Sequence, residues 1–288
     1  MSKSLPSEFK EKFVAFVDIL GFKQMVADSE SGKGIPLAQI LELLKNFGSS
    51  DERQKLEPQG PFLCPCSRRI ENNIDFRLSQ ISDCAVISTE ISPAGAINLV
   101  NYCWVIAMRF LQHGILCRGH ITRGHIYHSE DQFIGTGYQN AYAAESKVSL
   151  FQRDPEDKGT PFIEVDKGFC QYVEEFGDDC VKKMFGRMTR SDGEGVAVFP
   201  FQRLQHSFII AGHGIDFDPE KERKSIENVR KRIKTMKEKV LSFADESNPK
   251  AMRKIEHYIA ALDAQLVACD TTDDFIDKLC QPFPARPY

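Results

Sequence analysis

The sequence has little surplus charge of either sign. Its 288 residues include 37 Lys and Arg against 41 Asp and Glu, which gives a net charge of −4 at pH 7. Broad binding to DNA or RNA needs a dense cationic face, so we predict no nucleic-acid partner. The binding of a single nucleotide stays compatible with this composition, because it needs only local cations or metal ions.

The sequence also lacks long uninterrupted apolar runs. Its first eight residues contain no apolar core of the kind that a secretory signal requires. The most apolar stretch, residues 94–116, is interrupted by Asn98, Asn101 and Arg109, and it fits an amphipathic helix better than a membrane span. We therefore expect a chain with no membrane partner and a cytoplasmic location.

Paired cysteines and two common catalytic motifs are missing as well. The nine cysteines are scattered, and the one close pair, Cys64 and Cys66, has a single residue between its members, too few for a zinc knuckle. Because no secretory signal is seen, we expect reduced thiols. The sequence contains no Gly-x-x-x-x-Gly-Lys-Ser/Thr and no Gly-x-Ser-x-Gly, which excludes a P-loop enzyme and a common serine hydrolase.

What the sequence does contain is an ordered alternation of strand and helix patterns. Strands, helices and turn residues follow one another as strand 13–19, helix 36–47, strands 74–81 and 84–89, helix 94–113 and strand 115–127. This order predicts an α+β protein on the ferredoxin-like βαββαβ plan, with residues 48–72 as a polar loop insertion. Further predicted elements are helices at about 138–149, 166–176 and 178–185, and strands at 162–165 and 195–211.

The last quarter of the chain has a different character. Residues 219–244 are rich in Lys, Arg and Glu, and their apolar residues recur at three- and four-residue spacing. Pro249 precedes a second amphipathic helix. The two helices predict either an antiparallel hairpin or a dimerising coiled coil. We expect a catalytic domain over residues 1–217 and a helical hairpin with an extended tail over 218–288.

Two aspartates stand in similar settings near predicted strand ends. Asp18 closes the apolar run 13–19, just before Gly21, and Asp83 lies in a short turn between two predicted strands. Two carboxylates on adjacent strand ends can hold two Mg²⁺ or Mn²⁺ ions about 3.5–4 Å apart, as in enzymes of in-line displacement at phosphorus. The pair therefore predicts phosphoryl or nucleotidyl transfer.

An ordered set of motifs carries a resemblance to a known family. Residues 16–22, Phe-Val-Asp-Ile-Leu-Gly-Phe, resemble the signature that opens class III nucleotidyl cyclases, and Asp83 matches the second metal aspartate of that family. Residues 118–124 and 135–145 resemble the later strand and helix of the cyclase domain. The resemblance covers roughly residues 10–150. Within the superfamily, the chain looks most like the bacterial pyrimidine cyclases of Pycsar anti-phage systems.

The resemblance implies roles for the residues around the first aspartate. Asp18 and Asp83 would bridge two Mn²⁺ or Mg²⁺ ions, with the carbonyl of Ile19 as a further hard oxygen ligand. The substrate phosphates would be bound by backbone N–H groups at the start of the next helix, those of Leu20, Gly21 and Phe22.

The later helix departs from the family pattern. Class III cyclases usually place an Asn there and, four residues on, an Arg that stabilises the transition state. Here Asn140 has no arginine at that spacing, and an alternative alignment puts Gln139 at the Asn position, so both amides stay candidates. Either Lys147, Arg123 or Arg118 replaces the missing arginine, or the activity is slow.

The residue at the position that binds the base also differs from the family pattern. Purine cyclases of this superfamily place a Lys or Glu four residues before the second metal aspartate, and this chain has Ser79. Serine is too short to reach a purine, whereas Arg77 and Arg118 are candidates for reading the O2 and O4 edge of a pyrimidine. The alternatives are an exposed strand residue for Arg77 and a structural ion pair for Arg118. The implied substrate is UTP, in preference to CTP, on the family resemblance alone.

The family also implies partners. Its members act as homodimers with composite active sites, in which one protomer supplies the metals and its partner the later helix. A Pycsar cyclase makes a cyclic nucleotide that activates a separate effector protein. Two other hypotheses stay open: a non-catalytic nucleotide-binding sensor on a degenerate cyclase fold, suggested by the missing arginine, and a purine or dinucleotide cyclase.

Overall fold

The computed structural model describes residues 8–48, 74–201, 218–244 and 247–280. Its first elements are β1 (Lys10–Ile19), α1 (Phe22–Glu30), α2 (Leu37–Leu44), β2 (Arg77–Ile81), β3 (Cys84–Glu90), α3 (Pro93–Leu111) and β4 (Cys117–His128). They are followed by β5 (Phe133–Ile134), α4 (Thr136–Glu145), β6 (Ile163–Val165), α5 (Lys167–Phe176), α6 (Asp179–Met188), β7 (Thr189–Ser191) and β8 (Val196–Val198). The C-terminal helices are α7 (Pro219–Ser242) and α8 (Pro249–Cys280).

The strand order confirms the predicted fold class. Strands β2, β3, β1 and β4 lie side by side in that order, and every neighbouring pair among them is antiparallel. This is the arrangement of a ferredoxin-like βαββαβ core. The sheet continues beyond β4 with β6, which runs parallel to β4, and then with β8 and β7, while β5 pairs with the end of β4. The observed fold is therefore α+β.

Strand β1 is central, and both of its faces are covered. Phe13, Ala15 and Val17 point into the core that contains α3, whereas Val14 and Phe16 point to the opposite face, which packs against α4. A strand that is buried on both faces consists of a continuous run of apolar residues. This is why the strand could be recognised from the sequence. The face that carries Val14 and Phe16 is called the α4 face below.

Helix α3 is the apolar helix predicted at residues 94–113. The hydroxyl of Ser92 accepts a hydrogen bond from the N–H of Gly95 at 2.9 Å and caps the helix, with Pro93 at its first position. Among the described helices it alone is long and apolar enough for a membrane span, but most of it is buried within the protein. That burial is expected of a core helix, and Gly114, with a φ of 81°, ends the segment.

The two C-terminal helices form an antiparallel hairpin. Ion pairs join Arg230 to Asp273 at 2.7 Å and Lys237 to Asp263 at 2.6 Å, so residue numbers rise along α7 as they fall along α8. The inner side of the hairpin shares a hydrophobic cluster with the sheet-bearing part of the chain. The members of that cluster include Met108, Leu111, Phe162, Phe199, Phe201, Ile233, Met236, Val240, Tyr258 and Leu262.

Several element bounds differ from those predicted. Helix α2 ends at Leu44 and continues as a 3₁₀ turn to Phe47, and α4 spans 136–145, ending at the buried Glu145 instead of reaching residue 149. Strands β5 and β7 were not predicted, because two- and three-residue strands show no alternation that a pattern can reveal. The predicted insertion from residue 49 on, its two cysteines, and most of the strand predicted at 195–211 lie outside the described residues.

The shared core makes a prediction about stability. Leu262 of α8 is fully buried, so Leu262→Ala should lower the free energy of unfolding by about 2–5 kcal/mol. Val267→Ala, on the exposed side of the same helix, should change it by less than about 0.5 kcal/mol. Urea unfolding followed by circular dichroism and by Trp104 fluorescence measures both. Because the hairpin and the sheet share one core, the two probes should give the same midpoint in each variant, and separate transitions would contradict this.

Candidate active site

The fold brings Asp18 and Asp83 together at one end of the sheet. Asp18 is the penultimate residue of β1, and Asp83 lies in the two-residue turn that joins β2 to β3. The N–H of Ile19 donates a hydrogen bond to the carbonyl of Asp83 at 3.0 Å. Ser82 takes a left-handed conformation, with a φ of 53°, which closes this tight turn. The predicted setting of both aspartates, at adjacent strand ends, is confirmed.

Asp18 lies in an acidic, partly buried environment. Its pKa is raised to about 7, first by burial and then by the nearby carboxylates of Glu145 and Asp83, while Arg118 opposes the shift. Glu145, the last residue of α4, is buried and forms an ion pair with Arg118. No local pattern marked Glu145 as part of this site, because the contact spans 27 residues of sequence.

The donor set fits a divalent cation. Two carboxylates at neighbouring strand ends are hard oxygen ligands. Burial, and then the charges of Glu145 and Asp83, raise the pKa of Asp18, and a bound cation would favour its ionised form. Over the described ranges, no cluster of three or more Asp, Glu, His or Cys side chains is placed to hold a metal ion. The pair therefore suits a cation held by one or two carboxylates together with substrate phosphates, which is how Mg²⁺ is commonly bound.

The turn after Asp18 is built on a glycine. Gly21 has a φ of 81°, in the left-handed region, and it precedes the first residue of α1, where backbone N–H groups have no acceptor within the helix. No side chain caps this end. Of the three N–H groups predicted to bind phosphate, that of Leu20 is already donated to the carbonyl of Leu116 at 2.9 Å. The N–H groups of Gly21 and Phe22 remain the candidates.

Helix α4 packs closely on the sheet. Gly124 of β4 and Gly137 of α4 are so near that a Cβ on Gly124 would come within 2.7 Å of the Cα of Gly137. The helix buries Ala141 on the α4 face of the sheet. Gln139 and Asn140 are exposed, and neither side chain makes a hydrogen bond with the residues that the structure describes. The two amides are thus available to a substrate or to another protomer.

The two candidate arginines have different surroundings. Arg118 lies directly opposite Asp18 on β4, and its side chain is 14% exposed. Its guanidinium is ion-paired with Glu145 and donates a hydrogen bond to the carbonyl of Gly159. Arg77 is partly exposed and lies 3.8 Å from a carboxylate oxygen of Asp75. Through the strand pairing, Arg77 is level with Val14, about 13 Å along the sheet from Asp18.

The hydroxyl of Ser79 is hydrogen-bonded to the ring of His128. The hydroxyl of Ser79 lies 3.0 Å from Nε2 of His128, and the hydroxyl of Ser88 lies 2.9 Å from Nδ1. Burial and the cations of Lys12 and Arg77 lower the pKa of His128 to about 4. The imidazole is therefore neutral at pH 7, so that one ring nitrogen donates to a hydroxyl and the other accepts.

Comparison with solved structures finds similarity to a cyclase core. The structure is the catalytic core of a rhodopsin-guanylyl cyclase with converted specificity, in complex with ATPαS. The sequence identity is 14% and the TM-score 0.36, over 66% of this chain and 92% of that one. A scan against family models and a search of curated proteins find no match to the sequence. The fold assignment above rests on the strand order itself.

The environment of His128 predicts how stability changes with pH. In the unfolded chain the imidazole of His128 binds a proton near pH 6.5, whereas in the folded protein it does so only near pH 4. The stability that His128 provides is therefore complete above pH 6.5 and is lost as the pH falls toward 4. In urea unfolding between pH 7.5 and 4, the free energy of unfolding should fall less steeply with decreasing pH in His128→Asn than in wild type. Gln132→Asn, at an exposed position just after the same strand, should keep the wild-type slope. An unchanged slope in His128→Asn would contradict the assignment.

Proposed function

We propose that this chain is a nucleotidyl cyclase that converts a pyrimidine nucleoside triphosphate into its 3′,5′-cyclic nucleotide and pyrophosphate. The observation that carries the proposal is the meeting of Asp18 and Asp83 at one end of a ferredoxin-like sheet. The motif order that resembles class III cyclases supports it. UTP is the preferred substrate, with CTP as the second choice, and a cytoplasmic location is part of the proposal.

The reaction is an intramolecular displacement at the α-phosphorus. The 3′-oxygen forms a bond to phosphorus, the bond to the bridging oxygen of pyrophosphate breaks, and the hydroxyl proton is released. Two divalent ions, Mn²⁺ or Mg²⁺, bound by Asp18, Asp83 and the carbonyl of Ile19, would lower the pKa of the 3′-hydroxyl and neutralise the triphosphate. The N–H groups of Gly21 and Phe22 would orient the phosphates by hydrogen bonds.

The base preference is argued from the polar groups on β2. Ser79 is short and its hydroxyl is bonded to His128, so it presents one small polar group where a purine site needs a long one. Arg77 has a partly exposed guanidinium that could read the carbonyl oxygens of a pyrimidine. Arg118 is less suited to this role, because its ion pair with Glu145 occupies it.

A composite site in a homodimer is part of the proposal. Ile81 and Tyr142 lie on the α4 face of the sheet, and they are 52% and 57% exposed. Exposed apolar side chains that form a contiguous patch mark a surface that a partner protein covers, and we assign these two side chains and the exposed amides of α4 to such a surface. Gln139 or Asn140 would then bind the ribose or phosphates in the site of the partner protomer. The product would activate a separate effector, and a role in anti-phage defence follows from the motif resemblance alone.

One observation favours a second candidate function. No arginine follows Asn140 at the spacing that class III cyclases use, and Arg118 is engaged by Glu145. A chain that retained the metal aspartates but lacked a transition-state cation would bind a nucleotide without turning it over. The second candidate is therefore a nucleotide-binding sensor on the same fold.

Incubation with Mn²⁺ and each of the four nucleoside triphosphates, with products resolved by mass, tests the proposal. Wild type should form cyclic UMP or cyclic CMP far faster than cyclic AMP or cyclic GMP. Asp18→Ala and Asp83→Ala should each lower the rate by at least about 100-fold, because charge stabilisation at the transferring phosphorus is lost. Asp131→Ala, in an exposed turn, is the matched control. Nucleotide binding without any cyclic product would favour the sensor.

Mixing of inactive variants tests the composite site. Asp18→Ala and the double variant Gln139→Ala, Asn140→Ala are combined at equal concentration after exchange of subunits. With random exchange, half of the dimers are heterodimers, and one of the two sites in each heterodimer would keep both aspartates and both amides. Activity should therefore return to about a quarter of the wild-type value. If proven heterodimers stay inactive, the site lies within a single chain.

A further inference from the structure

A cavity adjoins the turn that follows the metal aspartate. It has a volume of about 720 Å³, within the range of small-molecule sites, and it lies between the 20–21 turn with α1 on one side and the α7–α8 hairpin on the other. Leu20 and Gly21 line it from the sheet side, and Lys250 and Lys254 line it from α8. The C-terminal hairpin therefore forms one wall of a cavity at the edge of the candidate active site.

Lys254 is the distinctive residue of this cavity. It is half-buried, and its ammonium group makes no hydrogen bond or ion pair with any residue in the described ranges. Burial, together with the charge of Arg118, lowers its pKa, and Glu145 and Asp157 oppose that shift. An ammonium removed from water without a paired anion is costly. An anionic ligand in the cavity would offset this cost.

The charges around Lys254 connect the cavity to the aspartates. Arg118 and Glu145 act on the pKa of Lys254, and the same two residues act on the pKa of Asp18. Arg118 pairs directly with Asp18 in the sheet, and both charged groups are therefore near enough to act on the aspartate and on the lysine. Lys250 lies four residues before Lys254, on the same side of the helix, and adds a second cation to the wall.

The opposite wall carries one acidic group. Asp28 of α1 lines the cavity, and its carboxylate accepts a hydrogen bond from Gln24 at 2.8 Å. The two lysines of α8 and this single carboxylate leave a positive balance among the lining residues that the structure describes.

We propose that this cavity binds the β- and γ-phosphates of the nucleotide, with Lys254 as the main cation and Lys250 as a second one. The inference rests on the proposed nucleotidyl-cyclase function and deepens it, because it makes the C-terminal hairpin part of the substrate site. The lysines belong to the same chain as Asp18, so the polyphosphate end of the substrate is held within one protomer, whatever the partner contributes.

Binding of inorganic tripolyphosphate, measured by calorimetry on the full chain in EDTA, tests the site without chemistry or metals. Lys254→Met keeps the aliphatic stem and removes the charge, and it should weaken binding at least about tenfold, as expected for a hydrogen bond between charged groups. Lys254→Arg should bind within about threefold of wild type. Lys278→Met, at an exposed position of the same helix outside the cavity, should bind like wild type.

The outcomes separate this inference from the proposed function. Wild type that does not bind millimolar tripolyphosphate, or Lys254→Met that binds it as tightly as wild type, overturns the inference even if turnover still depends on Asp18. Binding that depends on Lys254 in a protein that forms no cyclic product supports the anion site and overturns the cyclase. If its melting temperature shows that Lys254→Met is not folded, the same binding measurement is made on Lys250→Met, at an exposed position. Unchanged binding of tripolyphosphate to Lys250→Met overturns the proposal.

Discussion

The pairing of β1 with strands on both sides is the constraint on which the rest of the structure depends. A strand that is bonded on both edges and covered on both faces has no freedom to shift, because a slip by one residue would turn Phe13 and Val17 toward the wrong layer. That fixed register carries Asp18 to the end of the sheet. The turn between β2 and β3 is bonded to the same strand through Ile19, so Asp83 arrives at the same place.

The hairpin of α7 and α8 is joined to this arrangement by packing and by polar contacts. Tyr258 is fully buried beside the ring of Phe162, and His257 is bonded to Asp157 at 2.6 Å with both side chains buried. These contacts attach α8, the helix that carries Lys254, to the segment between α4 and β6. The hairpin thus contributes charge as well as apolar surface to the region around Asp18.

The order of the first four strands, and the position of Asp18 and Asp83 at adjacent strand ends, could be predicted from local sequence patterns. Three of these patterns can each be recognised within ten residues of sequence: the apolar run of β1, the helix cap at Ser92 and the glycine after Asp18. The ion pair of Arg118 with Glu145 and the bond of Ser79 to His128 join residues 27 and 49 positions apart. Such contacts depend on where the elements pack, and no periodicity encodes them. The engagement of the Leu20 N–H by Leu116 was missed for the same reason.

The contact between Gly124 and Gly137 has a consequence for the geometry of α4. Because neither residue has a side chain, the first turn of the helix rests directly on the backbone of β4, and the spacing of the two elements is set by main-chain atoms. A side chain at position 124 would meet the backbone of α4, so any larger residue there would push the first turn of the helix away from β4. Such a displacement would move Gln139 and Asn140 relative to Asp18, because β1 is held by strands on both of its edges. The close approach of α4 to β4 therefore depends on the absence of a side chain at Gly124.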